Sequence, residues 1–334
     1  MKGGLSMDFM ISKNDKAVLR VVYDNDPESP RNWDGNVGTM TCWHRRYNLG
    51  DSHNFDDSAD LFESLIWDVL DAKLRKKIVQ YVKQGKSASV RLGYNRSTNE
   101  WVQSSLWSGE WLKTCSFPAP LNYKDNSLLQ SIMEDLDVKD LLYFVKDYYV
   151  ILPVYIYDHS GITLNTVGFS DPWDSGQVGW IYASKGKFLK ETGYTKNELF
   201  STDPHRKPKV GERVKINSRG DFGQVKKISD GKVVVDFDYN KALDYRKPEN
   251  VVTVPLTDIA EVLANRAEEM LREEVEVYDQ YVRGDVYGFI LETPEGELMD
   301  SCYGFYGNDF KENGMLDYIP DEYADLVDKL QPVF

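Results

Sequence analysis

YYVILPVYIY, residues 148–157, is almost wholly apolar and aromatic. A run of this kind reads as a central β-strand covered on both faces, with Pro153 marking a bulge or an edge within it. Upstream of it the period changes. From Ser127 to Asp147 the pattern is helical, in two pieces broken near Asp137. Leu61, Phe62, Leu65, Ile66, Val69, Leu70, Leu74, Ile78, Val79 and Val82 recur at three- and four-residue steps, which predicts a helix capped by Ser58 and stopped by Gly85. Strands are expected at Val18–Tyr23, Thr39–His44, across Ser87–Trp111 and at Val178–Ala183, with a short helix near Lys185–Thr192. Helices packed on a mixed or antiparallel sheet make an α+β body.

A second rhythm begins after Thr202–Pro208, which reads as a linker. Val210–Val254 alternates VGERVKI, QVKKI, KVVVDFD and NVVTV with turns at Gly220–Gly223 and Asp230-Gly231, the signature of a small all-β barrel. Val210-Gly211, Gly220-x-x-Gly223-x-Val225 and Pro248-Glu-Asn250-Val251 resemble KOW-like barrels, which bind nucleic acid or protein. Thr257 then caps a predicted acidic helix to Arg283, and Thr293-Pro-Glu-Gly296 turns a hairpin. The expected organisation is a body over 1–200, a barrel inserted at 206–256, and a C-terminal part over 257–334 that completes the body. Its hairpin extends the body's sheet.

Charge is polarised along the chain. Asp258–Phe334 holds 20 Asp or Glu against five Lys or Arg, −15, while the whole protein is −14. Arg206–Lys247 holds 12 basic residues against six acidic. Such polarity speaks of partners and association rates, not of fold. No apolar run is long enough for a membrane helix, and the N-terminal residues lack a signal-peptide core. Three Cys and four His, without CxxC or HxxxH spacing, argue for reduced thiols and against a zinc site. No cofactor or metal is implied.

Several strings have residues suited to chemistry. Asn32-Trp-Asp34 and Cys42-Trp-His-Arg-Arg-Tyr47 form the densest polar–aromatic cluster, with His44 as a candidate base and Cys42 as a candidate thiolate. Asp158-His159-Ser160 follows the central strand, where sites on open sheets form; His159 is a candidate base oriented by Asp158 or Asp171, with Ser160 or the distant Cys302 as nucleophile. Adjacent residues of a strand face opposite ways, so Asp158 and His159 read first as a loop cap. Asp171, Asp174 and Asp158 offer oxygen ligands, yet Asp and Pro are the ordinary residues of turns. In the barrel, Arg213, Lys215, Lys226, Lys227, Lys232, Arg246 and Lys247 are candidate phosphate contacts, with Phe222, Phe237 and Tyr239 for stacking. On the acidic helix, Glu268, Glu269, Glu273, Glu274, Glu276 and Asp279 are candidate contacts to a basic partner, because few basic residues stand four positions away to pair them.

SPRNWDGNVGTMTCWHRRYNLGD (29–51), PVYIYDHSGITL (153–164), DPWDSGQVGWIY (171–182), EVYDQYVRGDVYGF (276–289) and DSCYGFYG (300–307) resemble a family of uncharacterised phage and prophage proteins. The resemblance skips the barrel. It implies action in the cytoplasm of a bacterial host, where accessory phage proteins often antagonise defence. The expected function is therefore an acidic protein that binds and inhibits a basic host nuclease or effector complex, of CRISPR or restriction type, with nucleic acid as a further partner through the barrel and no membrane. The alternative is a hydrolase acting on nucleic acid or nucleotide through His44 or His159.

Overall fold

The computed structural model describes residues 8–238 and 250–333 and has an α+β fold with antiparallel sheets. Strands β1 (Asp8–Lys13), β2 (Val18–Tyr23) and β3 (Thr39–Cys42) come first, then helices α1 (Ser58–Asp68) and α2 (Ala72–Lys83). The meander β4 (Val90–Asn95), β5 (Glu100–Trp107), β6 (Glu110–Pro118) follows, then α3 (Asn126–Asp135) and α4 (Val138–Val145). Next come β7 (Tyr149–Asp158), β8 (Ile162–Asn165), β9 (Ser175–Ser184), α5 (Lys185–Glu191) and α6 (Lys196–Phe200). Strands β10 (Arg213–Ile216), β11 (Phe222–Ser229), β12 (Lys232–Asp236), β13 (Val251–Pro255) and β14 (Ile259–Val262) precede helix α7 (Arg266–Arg283). The hairpin β15 (Val286–Glu292), β16 (Leu298–Tyr306) and the short β17 (Gln331–Pro332) complete the chain. None of the described helices is long and apolar enough to cross a membrane.

Two compact units result. The larger comprises Met1–Asp51, Leu152–Ile181 and Glu191–Phe334; the smaller comprises Ser52–Ile151 and Tyr182–Lys190. In the smaller unit α1 packs on α4, and α2 packs on α3 and β4. The helix expected across 58–85 is two helices. Asp57 caps the first through Ala59 N–H and Asp60 N–H, and Asp71 caps the second through Leu74 N–H. Each aspartate offers the backbone a better acceptor than continued helix would, so the apolar period runs on while the backbone restarts. Asp137 does the same between α3 and α4. Val90, Leu92, Gln103 and Ser105 form the buried face of the β4–β5–β6 sheet.

The larger unit holds α7, which contacts β8 of one sheet and β16 of another. The C-terminal hairpin joins the N-terminal strands in the order β16-β15-β2-β1-β17, over a core that includes Leu19, Val21, Tyr287, Phe289 and Leu326. Strand β7 lies inside the order β3-β9-β7-β8. From Leu152 onward its burial alternates, with Val154 and Ile156 buried and Tyr155 and Tyr157 half-buried, so one face is covered more than the other. The expectation of two covered faces fails there because aromatic rings raise the hydrophobicity of the run without being fully enclosed.

The β-rich module is a five-stranded antiparallel sheet, curled into a half-barrel, in the order β13-β12-β11-β10-β14. Its fifth strand revises the sequence reading. Ile259–Val262 pairs with β10, so the module extends past 256, and helix α7 begins at Arg266 instead of Thr257. IAEV continues the helical period of the residues after it; Asn265, at φ 53°, turns the chain and ends that continuity. Nor is Thr202–Pro208 a loose connection. Val262 N–H donates to Pro204 O at 2.7 Å, Asn265 N–H donates to Ser201 O at 2.7 Å, and Arg206 pairs with the buried Glu212.

Candidate functional site

Helix α7 supplies the main candidate. Ala267, Leu271, Val275 and Tyr278 form its buried stripe, against β8, α6, β16 and the short turn Pro30–Asn32. On its shoulder, Met270, Val277 and Gln280 meet a loop carrying Trp33 and the C-terminal segment after β16. Two cavities open there and share Trp33 and Val277. One, of about 630 Å³, is lined by Glu276, Gln280, Tyr306, Asp309, Glu312 and Asn313 among others. The other, of about 280 Å³, is lined by Pro30, Asn36, Met270, Glu273 and Glu274 among others. Neither is lined by Lys or Arg.

The walls are held in place from behind. Arg31 Nη1 donates to Glu274 Oε2 at 2.9 Å, while its Nε and Nη2 donate to Asp51 at 2.9 Å each. Glu274 Oε1 accepts from Val37 N–H at 2.8 Å and Gly38 N–H at 2.9 Å. The Trp33 ring stands edge-on to Tyr306 at 5.0 Å and 88°, and is 39% exposed. Tyr306 O–H donates to Glu28 O. Burial, followed by the carboxylates of Asp24 and Glu28, pushes this hydroxyl up to about 12. Glu276, Asp309 and Glu312 make the larger cavity's lining acidic, and the aromatic pair presents both a ring face and a ring edge.

The six acids assigned to partner contact from sequence separate into distinct roles. Glu274 and Asp279 are engaged by groups of the protein itself. Asp279 Oδ1 accepts from Thr163 Oγ1 at 2.7 Å and Leu164 N–H at 2.6 Å, and Asp279 Oδ2 faces Arg283 at 3.3 Å. Glu269 and Glu273 share Arg266, and Glu268 lies 3.6 Å from Arg272. The helix thus carries more internal pairing than four-residue spacing alone indicates. Glu276 is exposed and lines the larger cavity. Met270 and Val277, apolar residues seven apart and off the buried stripe, are the sequence signal of this groove.

A second cluster forms where β3 and β7 end. His44 Nε2 lies 4.0 Å from Asp158 Oδ2, Arg46 pairs with the same oxygen, and Tyr47 O–H donates to Asp158 Oδ1 at 3.4 Å. The Tyr47 ring stacks on His44 at 5.0 Å and 9°. His44 and Asp158, read from separate strings, are therefore brought together. His44 Nδ1, however, accepts the backbone N–H groups of Arg46 and Tyr47 at 3.3 Å each. Neutral His44 then carries its proton on Nε2, toward Asp158, and has no lone pair directed outward for a general base.

His159 is a turn residue, its N–H donating to Gly161 O at 3.1 Å beside Ser160 at φ 54°. Cys302 sits on β16 against the core of another sheet. Burial, with Asp51 nearby, pushes the Cys42 thiol up to about 12, the opposite of what an activated thiolate needs. Asp171 Oδ1 accepts from Trp173 N–H at 2.8 Å as a turn former. Among the described residues, no group of His, Cys, Asp and Glu is placed to hold a metal ion.

The half-barrel's cations are largely engaged. Arg213 pairs with the fully buried Glu198, Lys215 with Glu261 and Lys226 with Asp236. Lys227 and Lys232 are exposed; Arg246, Lys247 and Tyr239 lie outside the described residues. No family model, curated protein or solved structure matches this chain.

Proposed function

We propose that this chain acts by binding, engaging a basic partner through the acid-lined groove of α7 and blocking a host nucleic-acid-handling complex. The carrying observation is the 630 Å³ cavity that combines Trp33 and Tyr306 with Glu276, Asp309 and Glu312 and no basic side chain. An aromatic face beside unpaired carboxylates attracts a guanidinium or ammonium group through the ring quadrupole and through charge. The Arg31 clamp holds the groove in shape, so little ordering cost falls on the bound state. The phage-like strings at 29–51 and 276–289 include Trp33, Arg31 and Glu276, which supports a defence-directed partner such as a nuclease or effector complex.

The test is capture of partners from nuclease-treated bacterial lysate, followed by an activity assay of the captured complex with purified protein. The reading expects a basic complex retained at low salt, released at high salt and inhibited by the wild type. It also expects Trp33→Ala and the double variant Glu276→Lys/Asp309→Lys to lose both capture and inhibition. Capture and inhibition that survive in both variants would overturn it.

A further inference from the structure

Residues 72–124 of the smaller unit hold ten Lys or Arg and two Asp or Glu. This net +8 exceeds the net +6 of 206–247, and it falls on a single packed piece, α2 with the β4–β5–β6 sheet. Among the described residues only Lys77 of the ten makes an ion pair, with Asp147. Three others lie over indoles: the Arg75 guanidinium is 5.9 Å from the centre of the Trp67 ring, Lys83 Nζ 4.2 Å from that of Trp101, and the Arg91 guanidinium 4.2 Å from that of Trp111.

The strand register sorts these groups by face. Ser104 pairs with both Arg91 and Lys113, and Leu106 pairs with Trp111. Paired residues share a face, so Arg91, Lys113, Leu106 and Trp111 lie together, opposite the buried Val90, Leu92, Gln103 and Ser105. Arg91 and Lys113 are exposed and Leu106 is 41% exposed; at the hairpin end Trp107 is 61% exposed. The face therefore combines unpaired cations, an indole and a guanidinium stacked on it.

We propose that this sheet face binds single-stranded nucleic acid. Phosphates are attracted by Arg91 and Lys113. Unpaired bases stack on Trp111 or on the open side of the Arg91 plane. A duplex hides its base faces and makes no use of the aromatic part. Recognition is through backbone charge and stacking, so it tolerates any base sequence. The site is separate from the α7 groove, and each stands or falls without the other.

Fluorescence anisotropy of the whole chain with labelled oligothymidylate and oligouridylate of about 30 nucleotides tests this, at about 50 mM and about 200 mM salt. The wild type is expected to bind at the lower salt, to weaken steeply at the higher, and to bind a duplex of equal length less well. Arg91→Glu/Lys113→Glu is expected to weaken binding by at least about tenfold, and Trp111→Ala by about fivefold or more. Lys227→Glu/Lys232→Glu in the half-barrel leaves it unchanged. Thermal unfolding establishes that each variant is folded; if Trp111→Ala is not, the exposed charge reversal carries the test. No binding at low salt, binding unaffected by the sheet reversal, or loss only with the half-barrel variant overturns the proposal.

Discussion

Arg31 and Glu274 form an ion pair of 2.9 Å that ties the loop before β3 to the middle of α7, with the Arg31 side chain only 4% exposed. Asp51 binds the other edge of the same guanidinium. Burial opposes the Arg31 charge, but its hydrogen bonds to Asp51 and Glu274 outweigh that and hold its pKa above the ordinary value. One neighbour along the helix, Glu273, is exposed and shares the surface Arg266.

This contrast yields a stability prediction. Glu274→Ala leaves a buried guanidinium half-paired and two N–H groups without their acceptor, at a cost of about 3–5 kcal/mol. Glu276→Ala, at an exposed position, stays within about 0.5 kcal/mol of the wild type. Denaturant unfolding of both variants measures this, and equal effects would remove the clamp from the account.

A second prediction concerns the contact of β3 with β9. A Cβ on Gly179 would lie 2.1 Å from Thr41 O and 2.8 Å from the Cys42 backbone, whereas one on Gly176 meets nothing within 4 Å. Backbone cannot yield as a side chain does. Gly179→Ala is expected to destabilise by about 2 kcal/mol or more, and Gly176→Ala to be close to neutral. A thermal melt that does not separate the two would contradict this packing.

Cys42 offers a chemical readout. Its thiol is buried and pushed up to about 12 from 9.0. At pH 8 its ionised fraction is on the order of 10⁻⁴, so alkylation of the native protein should spare it while Cys302 reacts. Because the folded state holds this proton more tightly than the unfolded state, its contribution to stability is present below pH 9 and declines as pH rises toward 12. Native Cys42 labelling as fast as that of Cys302, read by peptide mass spectrometry, would refute this.

Glu212 gives the acid limb. Burial raises its pKa, but Arg206, Asn197 and the Lys209 N–H outweigh that and lower it below 4.5. A depressed folded value means stability that is present above pH 4.5 and lost as pH falls through the folded pKa. The melting temperature of the wild type should therefore fall more steeply below pH 4.5 than that of Glu212→Gln. Parallel pH profiles would show that Glu212 contributes nothing there.

Much of the architecture was legible because its causes are local. The breaks at Asp71 and Asp137 follow from caps that act within three residues, although only the second was read from sequence. The half-barrel rhythm came from alternation and Gly turns, whereas β14 was hidden by a helical period that Asn265 interrupts. The functional residues were harder to read. His44 and Asp158 are 114 positions apart and meet only because β3 and β7 end together on one sheet. The basic stretch 72–124 was open to counting, but the stacking of Arg91 on Trp111 depends on the strand register.

The amino-acid order alone carries the α+β class, the net charge and its polarity, since side-chain period and formal charge need no partner. Whether a given acid faces solvent, another chain or a buried arginine is settled by long-range packing. Glu273 and Glu274 are chemically alike and adjacent, yet the rotation of α7 against the Arg31 loop exposes one and turns the other onto a buried arginine. A helix turns about 100° per residue, so neighbouring side chains meet different surroundings, and those surroundings belong to distant parts of the chain.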